Sequence, residues 1–233
     1  MEPKHNYQKD LDEILAELDT EYARQLQENG QITPKRLLLH SCCAPCSSYC
    51  LEYLRQYFAI TVLYYNPNIT EEAEYQKRLA EEIRFIEALN NVPEGPATPH
   101  DRVFPIGVLQ CDHKPEDFLA IAKGYEDCPE GGERCMRCFR LRLKVSARAA
   151  RAGAYDFFTT TLTISPLKDA QALNAIGQAC GEEEGVMFLP SDFKKKGGYA
   201  RSVQLSAEYG LYRQDYCGCG YSKAQAMERR ARQ

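Results

Sequence analysis

Arg36-Leu37-Leu38-Leu39-His40-Ser41-Cys42-Cys43-Ala44-Pro45-Cys46 is the stretch on which the fold turns. Its first five residues are an apolar run of the length of a buried strand; residues 41–46 form a loop, and a helix follows over 47–58. A second strand, Ile60 to Tyr65, is closed by Asn66-Pro67-Asn68. Thr70 caps the next helix, which carries Glu71 and Glu72 in its first turn and Tyr75, Leu79, Ile83, Ile86 and Leu89 on its apolar face. Strands alternating with helices predict an α/β fold, a parallel sheet with flanking helices in a Rossmann-like three-layer arrangement. Sites in such sheets gather beyond the carboxyl ends of the strands, where the cysteines of the quoted stretch stand.

Outward from this core the pattern continues. Residues 91–110 are proline-rich and irregular, with one strand near Val103 to Val108. Pro115 to Gly124 and 136–152 read as helices, with a glycine- and acid-containing loop over 125–134 between them. Tyr155 to Leu162 and Gly185 to Leu189 read as strands, and Ser165-Pro166 starts the helix between them. Asp192 to Gly198 is a basic loop, 200–209 a helix, Tyr212 to Gly220 a cysteine loop, and the chain from Ser222 a helical tail. Upstream, Leu11, Ile14, Leu15, Leu18, Tyr22 and Leu26 define an amphipathic helix over 8–28 that Gly30 stops. The expected organisation is an N-terminal helical extension over 1–34 and one α/β metalloenzyme domain over 35–233.

With 44% hydrophobic and 27% charged residues in 233, the composition is that of a globular protein. The apolar runs are too short for a bilayer and the N-terminal stretch lacks a signal-peptide core, so a cytoplasmic location without a membrane partner is expected. Eleven cysteines in a reducing compartment point to metal or redox chemistry rather than disulfides. There is no GxxxxGK[ST] loop and no GxGxxG fingerprint, and the first strand does not lead into a Ser-Gly-Gly-x-Asp-Ser loop, so no ATP site is read.

Three motifs concentrate the sulfur. Cys42 and Cys43 sit at a strand-to-helix turn, where the helix dipole favours thiolates. Neighbouring thiolates repel unless a cation holds them, and a disulfide between neighbours is strained. Cys46 and Cys50 read as core residues of the following helix. Cys135-Met136-Arg137-Cys138 has the spacing of zinc knuckles, iron–sulfur sites and thioredoxin-type pairs, and with Cys42 and Cys43 makes a four-thiolate set. Tyr216-Cys217-Gly218-Cys219-Gly220 can bend around a metal. Zinc and iron–sulfur both accept four thiolates, but six clustered cysteines exceed the need of one structural zinc, and the surplus favours a cluster, alone or with a second metal. Cys180 reads as a buried helix residue; Cys111 and Cys128 have no assignment.

The formal net charge of −4 argues against a generic nucleic-acid binder. Local asymmetry qualifies this: seven basic residues and no acidic ones lie between Arg134 and Arg151, Lys194, Lys195 and Lys196 adjoin Gly197-Gly198, and Arg229, Arg230 and Arg232 end the chain.

Together these motifs resemble the QueH-type epoxyqueuosine reductases. The resemblance is carried by 38–45, Tyr65-Asn66-Pro67-Asn68-Ile69, 129–135, Cys138-Phe139-Arg140-Leu141-Arg142-Leu143, 158–166, 192–199 and 212–219, in order over most of the chain. It implies reduction of the epoxide of epoxyqueuosine, at the wobble position of tRNA, to queuosine. It further implies a [4Fe–4S] cluster on Cys42, Cys43, Cys135 and Cys138, a second iron or zinc ion at Cys217 and Cys219, and an external electron donor. On this reading Asp192 and Tyr216 are candidate proton donors. Arg134, Arg137, Arg140, Lys194, Lys195 and Lys196 would hold tRNA phosphates, and Tyr199 would stack on a base. Two other classes compete: a zinc-stapled RNA-binding module without catalysis, and a thiol oxidoreductase using the Cys135–Cys138 pair.

Overall fold

The computed structural model describes residues 4–92 and 102–231. Most of the proline-rich stretch read as irregular, 93–101, lies outside them. Among the described residues five strands form one sheet, β1 Lys35–His40, β2 Phe58–Tyr64, β3 Ile106–Gln110, β4 Phe157–Thr160 and β5 Met187–Phe188. Their order is β3-β2-β1-β4-β5 and every pairing is parallel. Among the described residues eight α-helices flank it: α1 Tyr7–Asn29, α2 Ala44–Leu54, α3 Glu72–Asn90, α4 Pro115–Ala122, α5 Glu133–Ala152, α6 Ala170–Glu184, α7 Gly198–Glu208 and α8 Gly220–Ala231. No described helix is long and apolar enough to cross a membrane.

Successive strand residues point to opposite faces, and the two cores follow from that alternation. Leu37 and Leu39 of β1, Phe58, Ile60 and Val62 of β2 and Phe157 of β4 face a layer built from α1, α2 and α3. Leu38, Leu63 and Phe158 face α5 and α6, which contribute Phe139, Leu143, Ala147, Leu173 and Cys180. The expected three-layer α/β architecture is therefore present.

Helix α1 is seated on the sheet. Leu11, Leu15, Leu18 and Tyr22 are buried in the same cluster as Leu37 and Phe58. The Tyr22 hydroxyl donates to the Tyr57 carbonyl at 2.8 Å and accepts the Lys35 amide at 2.8 Å, tying the helix to the start of β1. Gly30 ends it at φ +69°, a left-handed turn that suits glycine.

Several boundaries differ from the sequence reading. Helix α2 starts at Ala44, with extended Cys43 as its N-cap and Pro45 in the first turn, so the cysteine loop is shorter than 41–46. Helix α5 starts at Glu133, which puts both Cys135 and Cys138 on it. The third helix opens at Glu72 with Glu71, not Thr70, at its cap. β4 stops at Thr160, whose hydroxyl accepts the Leu162 amide and turns the chain into a 3-10 segment, Thr161–Ile164. Helix α6 opens at Ala170 rather than at Ser165-Pro166, because the Asp169 carboxylate caps it by accepting the Gln171 amide at 2.8 Å.

The strand order creates the site. The chain runs outward from β1 through β2 to β3, then returns to the other side of β1 with β4. Connections leaving β1 and β4 diverge at this switch point and open a crevice at their carboxyl ends. The loops there begin at Ser41 and Thr161, and the Cys42 sulfur lies 3.8 Å from the Thr161 hydroxyl.

Candidate metal centre

Three sulfurs meet at the end of β1. The Sγ atoms of Cys42, Cys43 and Cys46 all lie within 4.8 Å of one another, the one such group of potential metal ligands among the described residues. Cys42 and Cys43 are 3.8 Å apart, and the Cys46 and Ser47 amides donate to the Cys43 carbonyl in the first turn of α2. The thiols of Cys43 and Cys46 hydrogen-bond to the Cys42 sulfur and hold its pKa well below the usual thiol range. The Cys43 and Cys46 thiols are pushed up in turn, first by giving those hydrogen bonds to Cys42. The trio thus carries its first negative charge on Cys42.

Four more sulfurs surround an adjoining cavity. Cys135 and Cys138 reach it from the first turn of α5, and Cys217 and Cys219 from the loop before α8; Phe118, Phe139 and Arg134 complete much of the wall. The Cys135 sulfur accepts the Gly131 amide at 3.3 Å, and the Cys219 sulfur accepts the Ser222 amide at 3.4 Å. Burial raises the Cys138 thiol to about 12. Asn68 Nδ2 and Arg78 Nη1 donate to the Cys217 carbonyl at 3.4 and 3.3 Å. Gly218, at φ +119°, packs so close to Ile69 that an added Cβ would lie 2.8 Å from its side chain.

Two cations join the groups. Arg142 of α5 is fully buried and lies by Cys138, Cys217 and Cys42. Burial works to lower the pKa of Lys168, before α6, but the sulfurs of Cys217, Cys42 and Cys46 that it faces raise it above the ordinary lysine value. The turn read only as a strand terminator proves structural: Asn66 Nδ2 donates to the Ser41 carbonyl at 2.8 Å and Asn66 Oδ1 accepts from Arg142 at 2.6 Å, while Asn68 holds the Cys217 loop.

All eleven cysteines are free thiols. The structure brings Cys42 and Cys43 together with Cys46, and Cys135 and Cys138 together with Cys217 and Cys219. Cys46 had been read as core, yet Cys43-Ala44-Pro45-Cys46 has the two-residue spacing that signals a shared metal. Cys50 and Cys180 are buried in the two cores.

The expected polar residues divide. Tyr216 is half-buried beside Cys217, with the Arg78 guanidinium 5.0 Å from its ring centre. Asp192 is buried, and its carboxylate pairs with Lys194 at 2.7 Å. Arg134, 2% exposed, is turned inward, where it donates to the Tyr125 and Glu126 carbonyls and lies 4.3 Å from the Tyr221 ring centre; the protein's own carbonyls occupy it. Arg137 pairs with Glu133, Arg140 with Glu183 and Lys196 with Asp12, all at the surface. Lys195 and Tyr199 are exposed.

The soft sulfur donors outnumber the one carboxylate in the cavity wall, Glu130, which pairs with Arg229 at 3.4 Å, and such a set fits an iron–sulfur cluster or zinc and fits hard cations poorly. The chain is similar to several known proteins. A family model described as "Epoxyqueuosine reductase QueH" matches residues 37–225. A Staphylococcus epidermidis protein named epoxyqueuosine reductase QueH is 38% identical over 221 residues, 94% of this chain and 85% of the relative. One of the same name from Streptococcus pyogenes serotype M1 is 38% identical over 222 residues, 91% of this chain and 84% of its own. A third, from Thermotoga maritima, is 34% identical over 198 residues, 84% of this chain and 94% of its own.

Proposed function

Since this chain belongs to the QueH family of epoxyqueuosine reductases, which are oxidoreductases, we propose that it reduces the epoxide of epoxyqueuosine in tRNA to the cyclopentene of queuosine, using an iron–sulfur cluster. One observation carries the cluster reading: seven cysteine sulfurs in two adjoining groups, with two cations between them, at the switch point of a parallel sheet. Seven thiolates exceed the four a single cluster requires. Cys42, Cys43, Cys135 and Cys138 are the proposed cluster ligands, with Cys46 added on geometry, and Cys217 and Cys219 hold a second iron or zinc ion.

When bound, the cluster supplies electrons singly, and an external donor replaces them. Converting the epoxide to an alkene takes up two electrons and two protons and releases the oxygen as water. The chain's own residues hold the thiolates at two helix N-termini, offset their charge with Arg142 and Lys168, and clamp the Cys217 loop through Asn68 and Arg78. Tyr216, next to Cys217, is the proposed proton donor; Asp192, engaged with Lys194, is the less suited of the two candidates. Lys195, Lys196 and Tyr199, exposed on the loop before α7 and on its first turn, are proposed to meet tRNA together with Arg137 and Arg140, whose surface carboxylate partners a phosphate can replace. The reaction is proposed to take place in the cytoplasm.

The test is iron, acid-labile sulfide and zinc per chain after anaerobic purification, followed by single-turnover reduction of epoxyqueuosine-containing tRNA with a chemical reductant. About four iron and four sulfide with formation of queuosine are expected. Turnover without sulfide would remove the cluster. A fully loaded protein that binds this tRNA but leaves the epoxide intact would remove the activity, and stoichiometric zinc without colour would favour the binding module.

A further inference from the structure

Four arginines have buried guanidinium groups in the described chain, and three have evident partners. Arg78 pairs with Glu74 at 2.7 Å, Arg55 donates to the Leu89 carbonyl, and Arg134 donates to two carbonyls and lies over Tyr221. Arg55, Arg134 and Arg142 all lack an ion-paired carboxylate among the described residues; Arg142 differs in being 0% exposed and in lying one helical turn after Cys138, bonded to His40 two residues before Cys42. Both its hydrogen bonds go to neutral groups, Nη2 to Asn66 Oδ1 at 2.6 Å and Nε to His40 Nε2 at 3.2 Å. His40 Nε2 faces both the Arg142 Nε and the Tyr65 carbonyl, each at 3.2 Å, and its Nδ1 lies 2.9 Å from Thr160 Oγ1. An imidazole carries no negative charge in either protonation state, so His40 supplies no counter-charge. Nη1 is buried and makes no hydrogen bond of ordinary geometry.

A guanidinium does not lose its proton in a protein, and a buried charge with no counter-charge is strongly unfavourable. The groups able to supply a counter-charge to Arg142 are the sulfurs of Cys138, Cys217 and Cys42, which belong to both cysteine groups. Lys168 also faces thiols but is only partly buried and has a flexible stem. Arg142 is fixed at both ends, from α5 to the β1 terminus and to the turn after β2.

We propose that Arg142 is the fixed counter-cation of the cysteine centre, holding its thiolates, and the metal they bind, in a net anionic state and easing entry of an electron. The inference rests on the reading that these cysteines bind metal. It makes Arg142 a positioning residue that acts through charge, with no contact to substrate.

The test compares the wild type with Arg142→Lys, which keeps the charge, and Arg142→Gln, which keeps hydrogen bonding and loses it. The first readout is zinc affinity of the metal-free, reduced protein, by competition with a chelator. Arg142→Gln is expected to bind zinc at least about tenfold more weakly, the order expected for losing one nearby unit charge, with Arg142→Lys within about threefold of wild type. The second readout is the midpoint potential of the reconstituted centre, expected to fall in Arg142→Gln by about tenfold in the reduction equilibrium, about 59 mV for a one-electron couple. Equal zinc affinity in all three proteins, or an equal loss in both variants, overturns the proposal. Should Arg142→Gln fail to fold, Arg142→Lys decides: folded by circular dichroism yet more than tenfold weaker for zinc, it overturns the proposal; within threefold, it supports it. The zinc readout stands even if no iron–sulfur centre forms, so the fate of the cluster reading is separate.

Discussion

Glu82 on α3 lies fully buried behind the cysteine turn, and replacing it with glutamine should alter stability in a way that depends on pH. Its carboxylate oxygens make no hydrogen bond of ordinary geometry, although the Ser41 and Ser47 hydroxyls face it, and Tyr64, Cys50 and Cys42 are its other titratable neighbours. Burial raises its pKa from 4.5 to about 8. The folded state then binds a proton that the unfolded state has released. Stability contributed by this group is full below about pH 4.5, is lost progressively as pH rises to about 8, and levels off above that. At about 1.4 kcal/mol per tenfold, the loss is roughly 2 kcal/mol at pH 6 and between 4 and 5 kcal/mol at pH 9. Glu82→Gln carries no such loss. Urea unfolding of the metal-free, reduced proteins at the two pH values should show the variant gaining about 2 to 3 kcal/mol on the wild type between pH 6 and pH 9. Titration of the cysteines and tyrosines that do not face residue 82 is common to both proteins and cancels in this double difference, provided the m-values agree. A double difference below about 1 kcal/mol would refute the reasoning and mean that water or the serines already solvate the carboxylate.

Cys46→Ser should lower iron and sulfide per chain after anaerobic reconstitution; unchanged metal content would remove Cys46 from the ligand set that its 4.8 Å approach to Cys42 and Cys43 suggests. Gly177→Ala on α6 would place a Cβ 2.4 Å from the Phe188 ring, and overpacking of this kind should cost about 1–3 kcal/mol in urea unfolding; a neutral result would mean that β5 shifts freely. Tyr22→Phe removes a hydroxyl that serves two backbone groups and should cost about 1–3 kcal/mol, with faster hydrogen exchange at the Lys35 amide; unchanged exchange would mean that α1 does not pin β1.

Much of this architecture was legible in the chain, because it depends on local rules. Each of the five strands lies where apolar runs of Leu37-Leu38-Leu39, Ile60 to Tyr64, Val108, Phe157-Phe158 and Phe188 place it, and Gly30 ends its helix as read. Errors at helix starts came from competing caps: Pro45 drew α2 back over the cysteine loop, and Asp169 outbid Ser165. What local pattern could not convey was long-range sorting. Nothing near Cys217 in sequence says that it sits with Cys135, or that Asn68, 149 residues away, holds its carbonyl. Arg142 and Arg134 looked like neighbours in a basic run; their burial follows from the helical phase of α5 against the sheet and from partners on other segments. Residue type gives a charge, whereas its use is set by what the fold puts opposite.

The parallel topology also sets a schedule. Cys42, Cys43 and Cys46 need only β1, its turn and α2, whereas the cavity needs the loop carrying Cys217 and Cys219 to dock on Asn68 and Arg78. During synthesis 82 residues separate Cys135 from Cys217, and at about 5–20 residues per second the half-built centre waits on the order of 4 to 16 seconds for its last wall. For that interval five thiols stand beside a cavity that still lacks the part of its wall built by Cys217, Cys219 and Ser222.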